Sequence, residues 1–133
     1  MEVHNSLGPI DIAISGMEAQ NKRIEIISSN VANAQTTEAG NGEPYRRLEA
    51  AFKSNGEIGG VELDEIFADN SEFLKVSDPG NPLADENGYI SMPNVNLPVE
   101  MMNLNMATRA YQANIATLKR YQQMMETTLE LLK

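Results

Sequence analysis

Apolar residues recur at intervals of three and four at both ends of this chain and lose that rhythm in between. Near the N-terminus they fall at Ile10, Ala13, Met17, Ile24, Ile27, Val31 and Ala34, with Gln20 as a polar interruption. Such spacing is that of a coiled-coil seam and predicts a first helix over 10–34. Pro9 suits its first turn, where the missing N–H would have no partner anyway. Gly16 weakens it modestly. The polar run "SSNVANAQTTEAGNG" ends it.

The second helix is longer. It is expected to start near Pro98, just after Asn96 or Leu97, and to continue to Lys133. One register holds Leu97, Leu104, Tyr111, Leu118, Met125 and Leu132; another holds Met101, Thr108, Ile115, Gln122 and Leu129. No Gly or Pro follows Pro98. At ~1.5 Å per residue the helix would be roughly 50 Å long, too long to wrap a small globule. Glu100 in its first turn suits the helix dipole.

Between them, "PYRRLEAAF", "GVELDEIFAD" and "GYISM" read as short strands, because β-branched and aromatic residues recur between Gly and Pro. Asn87-Gly88 favours a tight hairpin turn. The pattern predicts a small, irregular β region of three or four strands that leans on the helices, since so short a stretch is marginal alone.

The fold class is therefore mainly α with a small β region. Two long terminal helices form a coiled-coil-like pair, and the middle projects from it. The division is 8–35 plus 97–133 for the helical part and 36–96 for the rest. Two helices of unequal length cannot bury everything. Met102, Tyr121, Met124 and Leu131 lie off the seam, and an open head-to-tail assembly would cover such a second stripe.

Charge sharpens the division. Residues 36–96 carry twelve acids and four bases, whereas the ends are nearly neutral, within a net charge of −9. An acidic middle repels phosphate and no basic stripe compensates, which argues against nucleic-acid binding. No apolar run of membrane-spanning length occurs, so direct membrane insertion is not expected. "MEVHNSLGPIDIAISGM" has no basic flank before an apolar run and does not read as a secretory signal. There is no Cys.

Candidate chemistry is thin. His4 stands alone, and a metal site needs a cluster. Glu62, Asp64, Glu65, Asp69 and Glu72 read as solvated charge rather than a catalytic pair. "DENG" at 85–88 lacks the later bidentate Glu of a calcium loop. No phosphate loop or nucleophile motif is present. No catalytic residue, cofactor or metal is assigned. Asn30 and Asn33 admit two readings: local caps at a helix end, or hydrogen bonds across to a neighbouring helix that fix register. Met101, Met106, Met124 and Met125 suit adaptable packing.

At this point the residues resemble a known family. "IDIAISGMEAQNKRIEIISSNVANAQTT" is similar to the N-terminal motif of bacterial flagellar rod and hook proteins, through Ala13, Ser15, Gly16, Met17, Gln20, Arg23 and the run from Ser29 to Ala34 with Thr36. The segment from Met102 to Leu131 resembles their C-terminal motif through Arg109, Tyr111, Ala113, Asn114, Met124 and Met125. "EPYRR" and "PGNPLAD" resemble the short proximal rod members. The likeness covers about 8–133. It implies a structural subunit of the flagellar basal body, exported by the flagellar type III apparatus without a cleaved signal. It further implies a place in the periplasm-spanning rod, beside other rod proteins and copies of itself, and transmission of torque. A rod or adaptor subunit of another type III-exported assembly is the alternative.

The expected assembly interface combines seam and resemblance. On the first helix it comprises Ile10, Ile14, Met17, Ile24, Ile27, Asn30, Val31 and Asn33. On the second it comprises Met101, Leu104, Tyr111, Asn114, Ile115, Leu118, Met125, Leu129 and Leu132.

Overall fold

A computed structural model describes residues 8–56 and 59–133. His4 lies outside the described residues. Helix α1 spans Pro9–Ala32, strands β1 to β4 span Leu48–Ser54, Val61–Ala68, Leu74–Ser77 and Tyr89–Met92, and helix α2 spans Leu97–Leu131.

Both helices start, and α1 also stops, where side chains satisfy their ends. The Gly8 N–H donates to Asp11 Oδ2 at 3.1 Å, and Pro9 opens α1. Asn33 closes it by donating from Nδ2 to the Ser29 carbonyl at 2.9 Å. Asn96 caps α2 by accepting from the Val99 N–H at 3.2 Å. With 35 residues, α2 is roughly 50 Å long.

The helices form an antiparallel pair. Asn30 meets Glu100 at one end, 3.2 Å apart. Gly16 meets Asn114 further down, where an added Cβ would sit 3.0 Å from Asn114 Nδ2. Gly16 thus permits close approach, which offsets its weak helix propensity. The same register puts Pro9 level with about Tyr121. From Gln122 onward every residue of α2 is exposed.

The core is small: Ala13, Ala19, Ile26 and Ile27 on α1, Ala107 on α2, and Ile90 on β4. The buried face of α1 is therefore rotated from the expected seam. Ala19 and Ile26 face inward, while Ile10, Met17, Ile24 and Val31 are only half-buried and Ile14 is exposed. The helix carries isoleucines on nearly every side, so periodicity alone could not choose the face.

The β region is two separate two-stranded antiparallel ribbons, β1–β2 and β3–β4. β1–β2 leans on α1. The Val61 N–H donates to Ser15 Oγ at 3.1 Å, and the Arg23 guanidinium lies 5.6 Å over the Phe52 ring. A bulge leaves Asp64 unpaired between Leu63 and Glu65. β3 was not singled out by its sequence. Asn87-Gly88 is no two-residue hairpin: it ends an eleven-residue connection from Asp78 to Gly88. There Asp85 Oδ1 accepts from the Asn87 and Tyr89 N–H groups at 2.9 and 3.0 Å, and Gly88 takes φ +78.

Candidate functional site

Two features stand out, at opposite ends of the helix pair. The first is a buried polar joint where α1, α2 and the strands meet. Asn30 is fully buried. It bonds the Leu48 backbone twice, donating to its carbonyl and accepting from its N–H, both at 2.9 Å. Its Oδ1 also accepts from Tyr45 Oη at 3.0 Å. Its Nδ2 donates to Glu100 Oε2. Glu100 Oε1 accepts from Arg47 Nε at 2.5 Å, with side chains 1% and 17% exposed respectively.

Arg47 extends the joint into the strands. Its Nη1 pairs with Glu49 and reaches Asp69 Oδ2 at 3.6 Å. Burial alone would lower its pKa, but hydrogen bonds to Glu100 and Glu49 and their charges raise it. Its N–H donates to Asn94 Oδ1 at 2.8 Å. Asn94 in turn donates to the Asp69 carbonyl at 2.9 Å and to Ser71 Oγ at 3.0 Å. The Ser71 N–H holds the Asp69 carboxyl below its ordinary value, with Arg47 adding to the effect. One connected network thus ties α1, α2, β1 and the segment before β3. A buried charge tolerated this way needs every partner. The groove above it, about 280 Å³, is lined by Arg23, Arg47 and Glu49 among others; Arg47 and Glu49 are paired with each other, and Arg23 lies over the Phe52 ring. Among the described residues no cluster of three or more His, Cys, Asp or Glu could hold a metal. No described helix is long and apolar enough to cross a membrane.

The second feature is an apolar surface without cover. Leu104, Tyr111, Asn114, Ile115 and Leu118 are half-buried along the side of α2 that carries buried Ala107. Met125, Leu129 and Leu132 continue that face at helical spacing. Among the described residues nothing lies against them. Leu129 and Leu132 are 59% and 79% exposed. Met101, Met102, Met106, Met124 and Leu131 are exposed as well. Tyr121, expected off the seam, is half-buried at the level where α1 begins.

The residues expected at an interface therefore divide. Ile10, Ile14, Met17, Ile24 and Val31 lie along one partly exposed side of α1. Ile27 and Asn30 do not join them, because both are buried inside the chain. Asn33 serves as a local cap, whereas Asn30 does reach across to a neighbouring helix, α2 of its own chain. Sequence reasoning missed Arg47, Tyr45 and Asn94 and read Glu100 only as a first-turn acid that suits the helix dipole. A charge inside an apolar heptad was the one available signal, and it does not name its partner.

Comparison with known proteins fits this geometry. The family profile described as "Flagella basal body rod protein" matches residues 10–39, which is α1 and its cap. The profile described as "Flagellar basal body rod FlgEFG protein C-terminal" matches 86–131, which is β4 and α2. The flagellar basal-body rod protein FlgC of Salmonella typhimurium is 41% identical over 94% of this chain and 96% of its own length. That of Agrobacterium fabrum is 39% identical over 92% and 91%, and that of Yersinia enterocolitica 40% over 94% and 96%. With likeness of this extent running through both helices and the strands between, the chain belongs to the flagellar basal-body rod protein family, in its FlgC-type branch, and is a structural subunit of the rod.

Proposed function

We propose that this subunit works mechanically, by burying its helical surface against neighbouring rod proteins and copies of itself. The helical part, 8–35 plus 97–133, packs into the rod's core. The middle, 36–96, projects outward with its acidic charge in solvent. The subunit reaches a periplasm-spanning rod through the type III export apparatus and performs no catalysis.

The observation that carries this reading is the overhang of α2. From Gln122 to Leu131 it runs roughly 15 Å past the level of Pro9, with the face that meets α1 continued through Met125 and Leu129. Exposed apolar faces of this kind mark interaction sites. Interlocking along such faces resists twist because many contacts share the load. The joint around Glu100 keeps the outer strands from rotating freely on the helices.

The test is the pair Leu129→Asp and Leu132→Asp, made together and expressed in place of the natural chain. Basal bodies isolated from such cells should lack rods, while the purified variant keeps its helical circular dichroism. Intact rods would refute the reading.

A further inference from the structure

Apart from the face of α2 that continues the seam, each helix carries a stripe turned away from the seam, and the two stripes differ in charge. On α1, Ile10, Ile14, Met17, Asn21, Ile24, Ser28 and Val31 follow one another by four and three, an unbroken heptad rhythm. All are exposed or half-buried, whereas the inward face is set by Ala19, Ile26, Ile27 and Asn30. Asp11, Glu18 and Glu25 flank this stripe at intervals of seven, all exposed. Asp11 also bonds the Gly8 N–H and Glu25 pairs with Lys22; Glu18 forms no ion pair among the described residues.

On α2 the outward stripe holds Met102, Met106, Met124 and Leu131 around Arg109 and Arg120. These six share a face, since their spacings are four, three, eleven, four and seven. All are exposed. Neither arginine makes an ion pair among the described residues. An apolar stripe with only positive charge on one helix thus answers an acid-flanked apolar stripe on the other.

We propose that these two stripes are the two halves of one interface: the acid-flanked stripe of α1 in one copy packs on the arginine-bearing stripe of α2 in the next. They face opposite ways, so they cannot meet within a chain. Different patches joining head to tail leave a free half at each end, and the contact propagates. Flanking charge of this kind sets partner and orientation in helix pairs. The inference rests on the rod reading above and gives it a partner, a second copy of this chain.

The experiment is a charge swap in cells. One variant carries Glu18→Arg and Glu25→Arg, a second carries Arg109→Glu and Arg120→Glu, and a third carries all four. Intact rods are counted in isolated basal bodies, and the helical signal of each purified chain confirms folding. Each single-sided reversal should cut rod number on the order of tenfold, since like charges then face each other, and the fourfold variant should restore it. Loss in both single-sided variants without restoration would overturn the pairing and assign the stripes to different partners. Undiminished rods in either single-sided variant would overturn it as well. In both of those cases the Leu129→Asp, Leu132→Asp chain in the same cells still reports on the rod reading separately. As a second readout, Ile14→Cys and Met106→Cys chains of different size, expressed together, should form a mixed disulfide dimer. The chain has no other Cys; finding only like-with-like dimers would contradict the pairing.

Discussion

The two ends of the helix pair invert the usual arrangement in opposite ways. At the joint, a carboxylate, an amide and a guanidinium lie inside, and their hydrogen bonds are made within the chain. At the far end of α2, leucines and methionines lie outside with nothing against them among the described residues. The joint shows what the chain needs in order to hold its own shape. The far end shows what it leaves for something else to complete. Buried polar networks are costly when partly satisfied, and exposed leucines contribute little to a lone chain. Changes at the two ends should therefore have contrasting effects.

The largest loss of stability is expected from Arg47→Met. It strands Glu100 in a dry site, and removing one partner of a buried pair costs about 3–5 kcal/mol. Urea unfolding followed by circular dichroism measures it, and a cost near zero would mean that water reaches Glu100. Asn30→Ala should come next at about 1–3 kcal/mol, because the Leu48 backbone groups lose their partner. Gly16→Leu should cost a similar or smaller amount, about 1–3 kcal/mol, by forcing Asn114 and α2 away. Asn114→Ala in the same chain should recover part of that loss.

Acid offers a subtler probe of the joint and of the connection between β3 and β4. Asp69 and Asp85 are both held below their ordinary values, Asp69 chiefly by the Ser71 N–H and Asp85 by the Tyr89 N–H. A depressed carboxylate contributes stability that is present above its unfolded value, near 3.8, and lost as pH falls through its folded one. The urea midpoint should therefore stay flat through neutral pH and fall below about pH 4. Asp69→Asn should flatten part of that fall. The smallest effect on the lone chain belongs to Leu129→Ser and Leu132→Ser together, within about 0.5 kcal/mol, although assembly should suffer.

Much of the fold was legible because it is local. The unbroken rhythm from Leu97 to Leu131, with Asn96 before it, specifies α2 almost alone. Pro9 and Asn33 bracket α1 within a residue or two. The joint was not legible, because it brings Asn30, Arg47 and Glu100 together across 17 and 53 positions of sequence, and no local pattern records which charge meets which. The inward face of α1 was misjudged for a related reason. Isoleucines at 10, 12, 14, 24, 26 and 27 cover several sides, and only packing against Ala107 and the β1–β2 ribbon selects one. The β region was seen as strands but not as two ribbons, since pairing is also non-local. The uncovered stripe was legible in outline, from Met102, Met124 and Leu131, because a face with no partner leaves its periodicity plain.

Hydrogen exchange on the purified chain at low concentration tests the central claim most directly. Amides from Glu100 to Leu118, paired with α1 and anchored by the joint, should exchange much more slowly than those from Gln122 to Leu131. On addition of assembled rod fragments the fast segment should become protected. Equal and strong protection along all of α2 in the lone chain would contradict the account, since the chain would then cover its own leucines and need no neighbour to do so.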